Sequence, residues 1–189
     1  LHETGIFDDQ KYFDVFVEYA KADAEDLLIR ITIANRGREA APLHVLPTAW
    51  FRNTWSWGAV QGATAKPEIR RLDEHSVALT HETLGEFRLH CEEGVRWLFT
   101  ENETNVQKLY GVPNPSGVAK DGFHDAVIRG MADAVRQDRG TKAAPHFRIE
   151  VPGQGERVIR LRLRSVANEG GAPFEDFDEL VAQRLREHA

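Results

Sequence analysis

The chain has one cysteine, Cys91, among its 189 residues, so it forms no disulfide within itself. Cys91 falls on the apolar side of an alternating segment, residues 87–91, which predicts a small buried side chain in a strand. The fold must therefore depend on an apolar core. A chain of 189 residues is long enough to bury such a core within one domain.

Positive charge is also scarce, because 24 lysines and arginines face 30 acidic residues and leave a net charge of -6. A nucleic-acid groove needs clustered Lys and Arg in excess, so we expect no nucleic-acid partner. No apolar run approaches the roughly 20 residues that a membrane-spanning helix needs, so we expect no membrane partner. The eight histidines form no close pair at ligand spacing, and we expect neither a metal nor a cofactor.

Short segments in which apolar and polar residues alternate are abundant and predict strands. We expect a hairpin of residues 13–19 and 27–33, further strands at 43–51, 76–81, 84–92 and 95–101, and a final hairpin of 147–151 and 159–163. On the last strand, Arg160, Arg162 and Arg164 alternate with apolar residues, which predicts a basic face exposed to solvent. Many short strands and few helices predict a mainly β fold, an antiparallel β-sandwich of the supersandwich-like kind.

Residues 104–140 interrupt this pattern and predict a short helical insertion. A first helix should end at Gly111, and a second should follow Asp121 as its N-cap and weaken at Gly130. An insertion of this length between strands is more often functional or interfacial than merely tolerated.

Residues 173–188 predict a C-terminal amphipathic helix with an apolar face of Phe174, Phe177, Leu180, Val181 and Leu185. That face needs a partner, either the β-domain itself or a further domain. We favour the second, because the chain has neither an initiator Met nor a signal peptide and is interpreted as a piece of a longer cytoplasmic protein.

Three of the four tryptophans fall within eight residues, at the point where a predicted strand ends. Trp50, Trp55 and Trp57 are interleaved with Arg52 and Asn53. Aromatic planes mixed with a guanidinium and an amide suit stacking on sugar rings or anchoring a protein interface. The alternative is that the indoles only cap the end of a β-core, since Trp is highly buried on average.

A second candidate cluster lies where the insertion enters its second helix. Lys120, Asp121 and His124 combine a cation, an acid and an imidazole there, although a capped helix with charged neighbours explains them better. Carboxylate pairs such as Glu101 with Glu103 are numerous, and most such acids are simply solvated. We therefore identify no catalytic residue.

Five segments resemble, in order, the N-terminal region of bacterial glucosidase-like proteins related to glycoside hydrolase family 63, the mannosyl-oligosaccharide glucosidases. They are YFDVFVEYAK at 12–21, WFRNTWSW at 50–57, FTENETN at 99–105, KDGFH at 120–124 and GTKAA at 140–144. The last segment adds Lys142 to the candidate residues. It lacks the frame of a phosphate-binding loop.

This resemblance implies that residues 1–172 are an N-terminal β-sandwich and that 173–189 lead into an (α/α)6 catalytic domain that the chain lacks. In such enzymes the inverting pair of carboxylic acids sits in the helical domain, so the chain alone is expected to be inactive. Its expected partners are that helical domain and an oligosaccharide substrate.

Three functions remain open at this point. The first is a non-catalytic module of a glycoside hydrolase whose Trp loop and insertion dock on the helical domain and rim its active site. The second is a self-sufficient carbohydrate-binding module that uses the same indoles. The third, and weakest, is a stand-alone sugar-modifying enzyme that uses Glu101 or His124.

Overall fold

The computed structural model describes residues 5, 7, 11–57 and 65–188, apart from the side chains of Trp57 and His188. Within these residues the fold is mainly β, with antiparallel sheets of seven and four strands, which confirms the predicted class. The strands are β1 Phe13–Asp23, β2 Asp26–Asn35, β3 Ala41–Val45, β4 Ala49–Trp50, β5 Glu68–Arg71, β6 Ser76–His81, β7 Gly85–Cys91, β8 Arg96–Thr100, β9 Arg139–Gly140, β10 Lys142–Val151 and β11 Glu156–Ser165. The helices are α1 Val106–Tyr110, α2 Gly122–Ile128 and α3 Phe177–His188.

The chain divides into two compact units. The first contains the described residues up to Val45, His90–Glu93 and everything from Phe147 onward. The second contains the described residues of Leu46–Leu89 and Gly94–His146. Both candidate clusters named above belong to the second unit.

In the first unit, β2 pairs with β1 on one side and with β11 on the other. Ile31 stands opposite Val17 on β1 and opposite Ile159 on β11. Since directly paired residues point to the same face, the alternating isoleucines form one apolar face, and Ile31, Ile33 and Ile159 are buried. The predicted hairpin of 13–19 and 27–33 is confirmed.

The predicted final hairpin is wrong. Phe147–Val151 of β10 pairs with β3, whereas β11 pairs with β2, so the two strands belong to different sheets. The connecting turn is real, with Gly155 N–H donating to the Pro152 carbonyl oxygen at 3.0 Å. It carries the chain from one sheet to the other instead of closing a hairpin.

The predicted solvent-exposed basic face on β11 is also wrong, because Arg162 and Arg164 are 5% and 4% exposed. Arg162 donates to both carboxylate oxygens of Asp26 at 2.7 Å, and it also contacts Asp176 at 2.6 Å. Arg164 donates to the carbonyl oxygen of Gly170 at 3.1 Å. Asp26 of β2 and the segment that leads into α3 together supply the acceptors for these two arginines.

Helix α3 packs its apolar face on the β-strands of the same unit. Phe177 and Val181 are buried against Ala20 and Leu28, while Leu185 is 52% exposed. Of the two partners considered for this helix, the β-domain is therefore the one it contacts. That the helix also leads into a further domain stays a prediction.

In the second unit, β7, β6, β5 and β9 lie in that order, and Lys142–His146 of β10 pairs with β8 and β4. The predicted strand at 43–51 is interrupted at 46–48, where Pro47 cannot donate to a ladder. β8 supplies the buried aromatics Trp97 and Phe99. The single cysteine, Cys91 on β7, is buried as predicted.

The insertion folds against this second unit through α2, whose Phe123 packs on Leu98 and Ala144. α1 ends where predicted, because Gly111 adopts φ 70° and its N–H donates back to Gln107. Helical structure of the second segment also stops before Gly130, as expected. In the described part of the chain, no helix is long and apolar enough to cross a membrane.

Candidate functional site

The exposed indole of Trp50 is positioned by a short strand pairing in the second unit. On β10, Lys142 stands opposite Trp50 of β4 and opposite Thr100 of β8. Directly paired residues of antiparallel strands place their side chains on the same face, so Trp50 and Lys142 are lateral neighbours. The Trp50 side chain is 58% exposed. It offers a large aromatic surface to a ligand.

Trp50 lines an open cleft of about 470 Å³ together with Thr48, Asn102, Lys120 and Lys142. The sequence predicted Trp50, Lys120 and Lys142 as candidates, and the structure brings these three together. Asn102 is held in place, since its Nδ2 donates to the Phe51 carbonyl oxygen at 2.9 Å. The cleft therefore combines one aromatic plane with an amide, a hydroxyl and two ammonium groups.

Lys142 is the most constrained of the cleft's charged residues. Its Nζ donates to the Lys120 carbonyl oxygen at 2.7 Å and lies 4.5 Å from the ring centroid of Phe123. Burial lowers the pKa of Lys142, an effect that nearby Asp121 opposes and Lys120 reinforces. The side chain thus presents a pre-positioned, half-buried cation.

Gly140 allows this arrangement, because β9 approaches β8 too closely for a side chain. A Cβ at Gly140 would lie 2.3 Å from the Thr100 carbonyl oxygen. The adjoining Thr141 N–H donates to that same oxygen at 3.1 Å. The glycine in the segment 140–144 therefore fixes the start of β10, and with it the position of Lys142.

Trp55 faces a different environment from Trp50. Its indole N–H donates to Glu103 at 2.8 Å, and Lys66 Nζ lies 5.6 Å from its ring centroid. Of the two interpretations of the Trp cluster, capping the β-core describes this half-buried side chain better. Trp55 is not among the residues that line the cleft.

Of the other described residues of the Trp loop, Arg52 and Asn53 are not among those that line the cleft. The Asn53 side chain accepts a hydrogen bond from the Ser56 N–H at 3.1 Å and so shapes the turn that leads into a 3-10 helix at Trp55–Trp57. Arg52 is exposed. The side chain of Trp57 lies outside the described residues.

Glu101 and Glu103 form a carboxylate pair bridged by one lysine. Lys66 Nζ lies 3.1 Å from Glu101 and 3.0 Å from Glu103. Glu101 is buried and also accepts hydrogen bonds from Arg136 at 2.6 Å and Thr141 at 2.8 Å. Two acids and two cations thus neutralise one another, which satisfies the buried charges.

The pKa of Glu103 reflects this network. Burial raises it, but hydrogen bonds from Ser116, Trp55 and Lys66 outweigh burial and leave the pKa below its ordinary value. A general acid of a glycosidase needs the opposite, a raised pKa. Glu103 does not meet that condition, and its carboxylate holds Trp55 and Lys66 in place through hydrogen bonds.

Asp121 and His124 do not combine into a reactive group. Asp121 accepts hydrogen bonds from Asn105 Nδ2 at 3.0 Å and Lys108 Nζ at 3.3 Å. Burial raises the pKa of Asp121, yet those donors lower it overall. Asp121 stands at the N-cap position of α2 as predicted, but its side chain makes no capping hydrogen bond to the helix. His124 is exposed on α2.

Several residues of the site were not predicted. Thr48 and Asn102 line the cleft, and Lys66, Ser116 and Arg136 complete the network around the two glutamates. Asn102 lies within a segment that carries the family resemblance, so a signal existed for it. Lys66 is 35 and 37 positions from its partners, and no local pattern marks it.

In the described residues, no group of three His, Cys, Asp or Glu could hold a metal ion.

Comparisons with known proteins give one similar sequence and a solved structure of low similarity. No family model matches the chain. An uncharacterized protein of Saccharomyces cerevisiae is 34% identical over 182 residues, which cover 80% of this chain and 16% of that protein. A polysaccharide lyase of known structure is similar over 91% of this chain and 22% of its own, with a TM-score of 0.47 and 11% identity. The chain thus spans about a sixth of the curated relative's length.

Proposed function

We propose that the chain is a non-catalytic β-sandwich module of a glycoside hydrolase, with the family 63 glucosidases as the model for its parent protein. In this proposal the Trp50 cleft contacts the sugar chain at the rim of an active site carried by a helical domain. The observation that carries it is the exposed indole of Trp50, set beside Lys142 and Asn102 in an open cleft. The apolar face of a pyranose ring stacks on such a plane, while amide and ammonium groups bind hydroxyls.

The acids near the cleft are already bound to cations, and this supports the non-catalytic role. Glu101 and Glu103 share Lys66, and Glu101 is further held by Arg136. Asp121 is held by Asn105 and Lys108. A glycosidase needs one protonated and one ionised carboxyl on opposite sides of a sugar, and these three acids are instead arranged as partners of cations.

The insertion offers a surface for docking on another domain. It exposes the large apolar side chains Leu109, Tyr110, Val112, Ile128 and Met131. Exposed apolar residues concentrated in one short segment are typical of protein interfaces. A further domain of the same polypeptide is the occupant we propose, because the matching segment of the yeast relative is only 16% of that protein.

A second candidate function is a self-sufficient carbohydrate-binding module. The 58% exposure of Trp50 favours it, because the indole needs no second domain to present its face. The two functions differ in what the 189-residue chain does alone. A self-sufficient module binds sugar by itself, whereas a rim module requires the rest of the site.

Calorimetric titration of the 189-residue chain with gluco- and manno-oligosaccharides tests both functions. Binding that Trp50→Ala abolishes and Tyr110→Ala leaves intact would establish the self-sufficient module. Tyr110 is the matched control, since it is an aromatic residue 73% exposed outside the cleft.

The rim module predicts that the isolated chain binds sugar too weakly to give measurable heat in calorimetry. It also predicts that Trp50→Ala raises KM of a longer protein that carries the chain. Hydrolysis of an oligosaccharide by the isolated chain would contradict the non-catalytic role. An unchanged KM in the longer variant, together with no binding to the isolated chain, would contradict both functions.

A further inference from the structure

We propose that the sugar recognised by the Trp50 cleft carries a negative charge, a carboxylate or a phosphate group, that is bound between Lys120 and Lys142. This inference rests on the proposed function, because it specifies the ligand of the same cleft. It distinguishes the cleft from a platform for neutral glucans.

The first argument is the unbalanced charge of the cleft. Two ammonium groups line it, and neither Lys120 nor Lys142 forms an ion pair with any residue in the described part of the chain. The acid that influences Lys142, Asp121, is already paired with Lys108 at 3.3 Å. In a chain with net charge -6, a cleft lined by two lysines and by no acid among the described residues is an exception that an anionic ligand would complement.

The second argument is the pre-positioning of Lys142. Its hydrogen bond to the Lys120 carbonyl oxygen and its position over the Phe123 ring hold the ammonium group in place, so little side-chain entropy is left to lose on binding. The Lys120 backbone that accepts this bond also carries the second ammonium group. Binding an anion between them relieves the repulsion of two like charges.

The third argument is the distance from the aromatic plane to the cations. Lys142 and Trp50 are directly opposed across the β10–β4 pairing, where Cβ atoms are about 5 Å apart. A pyranose ring stacked on Trp50 therefore places an acidic substituent on its edge within reach of Lys142. Asn102 lines the same cleft.

The test compares glucose, glucuronic acid and glucose 6-phosphate as ligands of the 189-residue chain, with acetate and inorganic phosphate as anions without a sugar. We expect the charged sugars to bind about tenfold or more tightly than glucose, as charge-assisted hydrogen bonds do relative to neutral ones. Chemical shifts of the indole N–H groups report the binding, and they detect weak association that calorimetry misses. A preference between the two charged sugars then assigns the carboxylate or the phosphate.

Lysine variants test whether the charge of the cleft, and not its packing, determines the preference for charged sugars. Lys120→Met and Lys142→Met should each remove most of the preference for charged sugars, and Lys21→Met, an exposed lysine of the first unit, should leave it unchanged. Lys120 is exposed, so its variant keeps the test valid if Lys142→Met misfolds.

Two results would overturn the inference, and they differ in what they mean for the proposed function. Equal affinity for glucose and the charged sugars would overturn the charge preference alone. Equal affinity for bare anions and charged sugars, unaffected by Trp50→Ala, would show that the cleft binds anions without recognising sugar, and would overturn the inference and the proposed function together.

Discussion

Trp50 and Trp55 lie five positions apart and have different roles, which their surroundings determine. Trp55 donates its N–H to Glu103, whose carboxylate also binds Lys66 and Ser116. Trp50 instead presents 58% of its side chain to solvent. The indole of Trp55 thus stabilises the second unit, while that of Trp50 can contact a ligand.

Replacing Trp55 with Phe should destabilise the chain by about 1 to 3 kcal/mol, because the half-buried Glu103 loses one of its donors. Replacing Trp50 with Phe should change the free energy of unfolding by less than about 0.5 kcal/mol, as surface substitutions usually do. Urea unfolding followed by far-UV circular dichroism measures both. Equal losses in the two variants would contradict the division of roles.

Glu103 should also make stability depend on acid pH. Its pKa is lower in the folded chain than in the unfolded one, so its carboxylate stabilises the fold above the unfolded pKa of about 4.3. That contribution is lost as pH falls through the folded pKa. We expect Glu103→Gln to be less stable than the wild type at pH 6, with the difference shrinking below about pH 4.3.

Glu86→Gln is the matched control for this prediction, because Glu86 is exposed on β7. It should follow the wild-type stability at each pH. A Glu103→Gln variant whose deficit stays constant between pH 6 and about pH 3 would contradict the proposed ionic role of Glu103.

At the scale of elements, β11 owes its position to a buried ion pair. Arg162 binds Asp26 of β2 through two hydrogen bonds, and both side chains are buried. Asp176, just before α3, takes a third hydrogen bond from the same guanidinium. One residue therefore connects the strand pairing of the first unit with the start of its helix.

Replacing Arg162 with Met should cost about 3 to 5 kcal/mol, because Asp26 is left buried without its cation. Arg157 lies on the same strand, and its ion pair with Glu93 leaves both side chains more than 40% exposed. Arg157→Met should therefore cost no more than about 1 kcal/mol. Chemical unfolding of the two variants compares them directly, and similar costs would contradict the role assigned to Arg162.

Local periodicity was enough to predict most strands of this chain, but not their partners. Alternation located β1, β2, β6, β7 and β8, because it records which residues face a core, but it did not locate the short strands β5 and β9. The same alternation around Pro152 predicted a hairpin, although β10 and β11 pair with β3 and β2 instead. Pairing between distant strands leaves no mark in a local pattern, and neither does the burial of Arg162 by Asp26, 136 positions away.

The residues of the candidate site could likewise be predicted only in part. Trp50, Lys120 and Lys142 were predicted from composition and from segments that resemble a known family, and the structure places them on one cleft. Lys66 was not predicted, because its role depends on two glutamates that the fold brings to it. Residues that contact solvent carry a local signal, whereas those that hold them in place are identified only in three dimensions.

At the scale of the whole molecule, the insertion exposes large apolar side chains that a partner would cover. Tyr110 and Ile128 are 73% and 68% exposed, although neither lines the cleft. Fully burying a large apolar side chain stabilises a protein by about 1.5 to 3 kcal/mol, and exposed side chains do not contribute this free energy. The proposed helical domain, docked on α1 and α2, would bury these side chains and gain that free energy.

This docking predicts a specific pattern of hydrogen exchange. In a longer protein that carries the chain, amides of α1 and α2 should exchange more slowly than in the 189-residue chain, because the docked domain suppresses local opening. Tyr110→Lys and Ile128→Lys should remove that protection, since each buries a charge in the interface. Leu84→Lys, at a residue 63% exposed outside the insertion, should leave the protection intact. Equal exchange of α1 and α2 in the two chain lengths would contradict docking through the insertion.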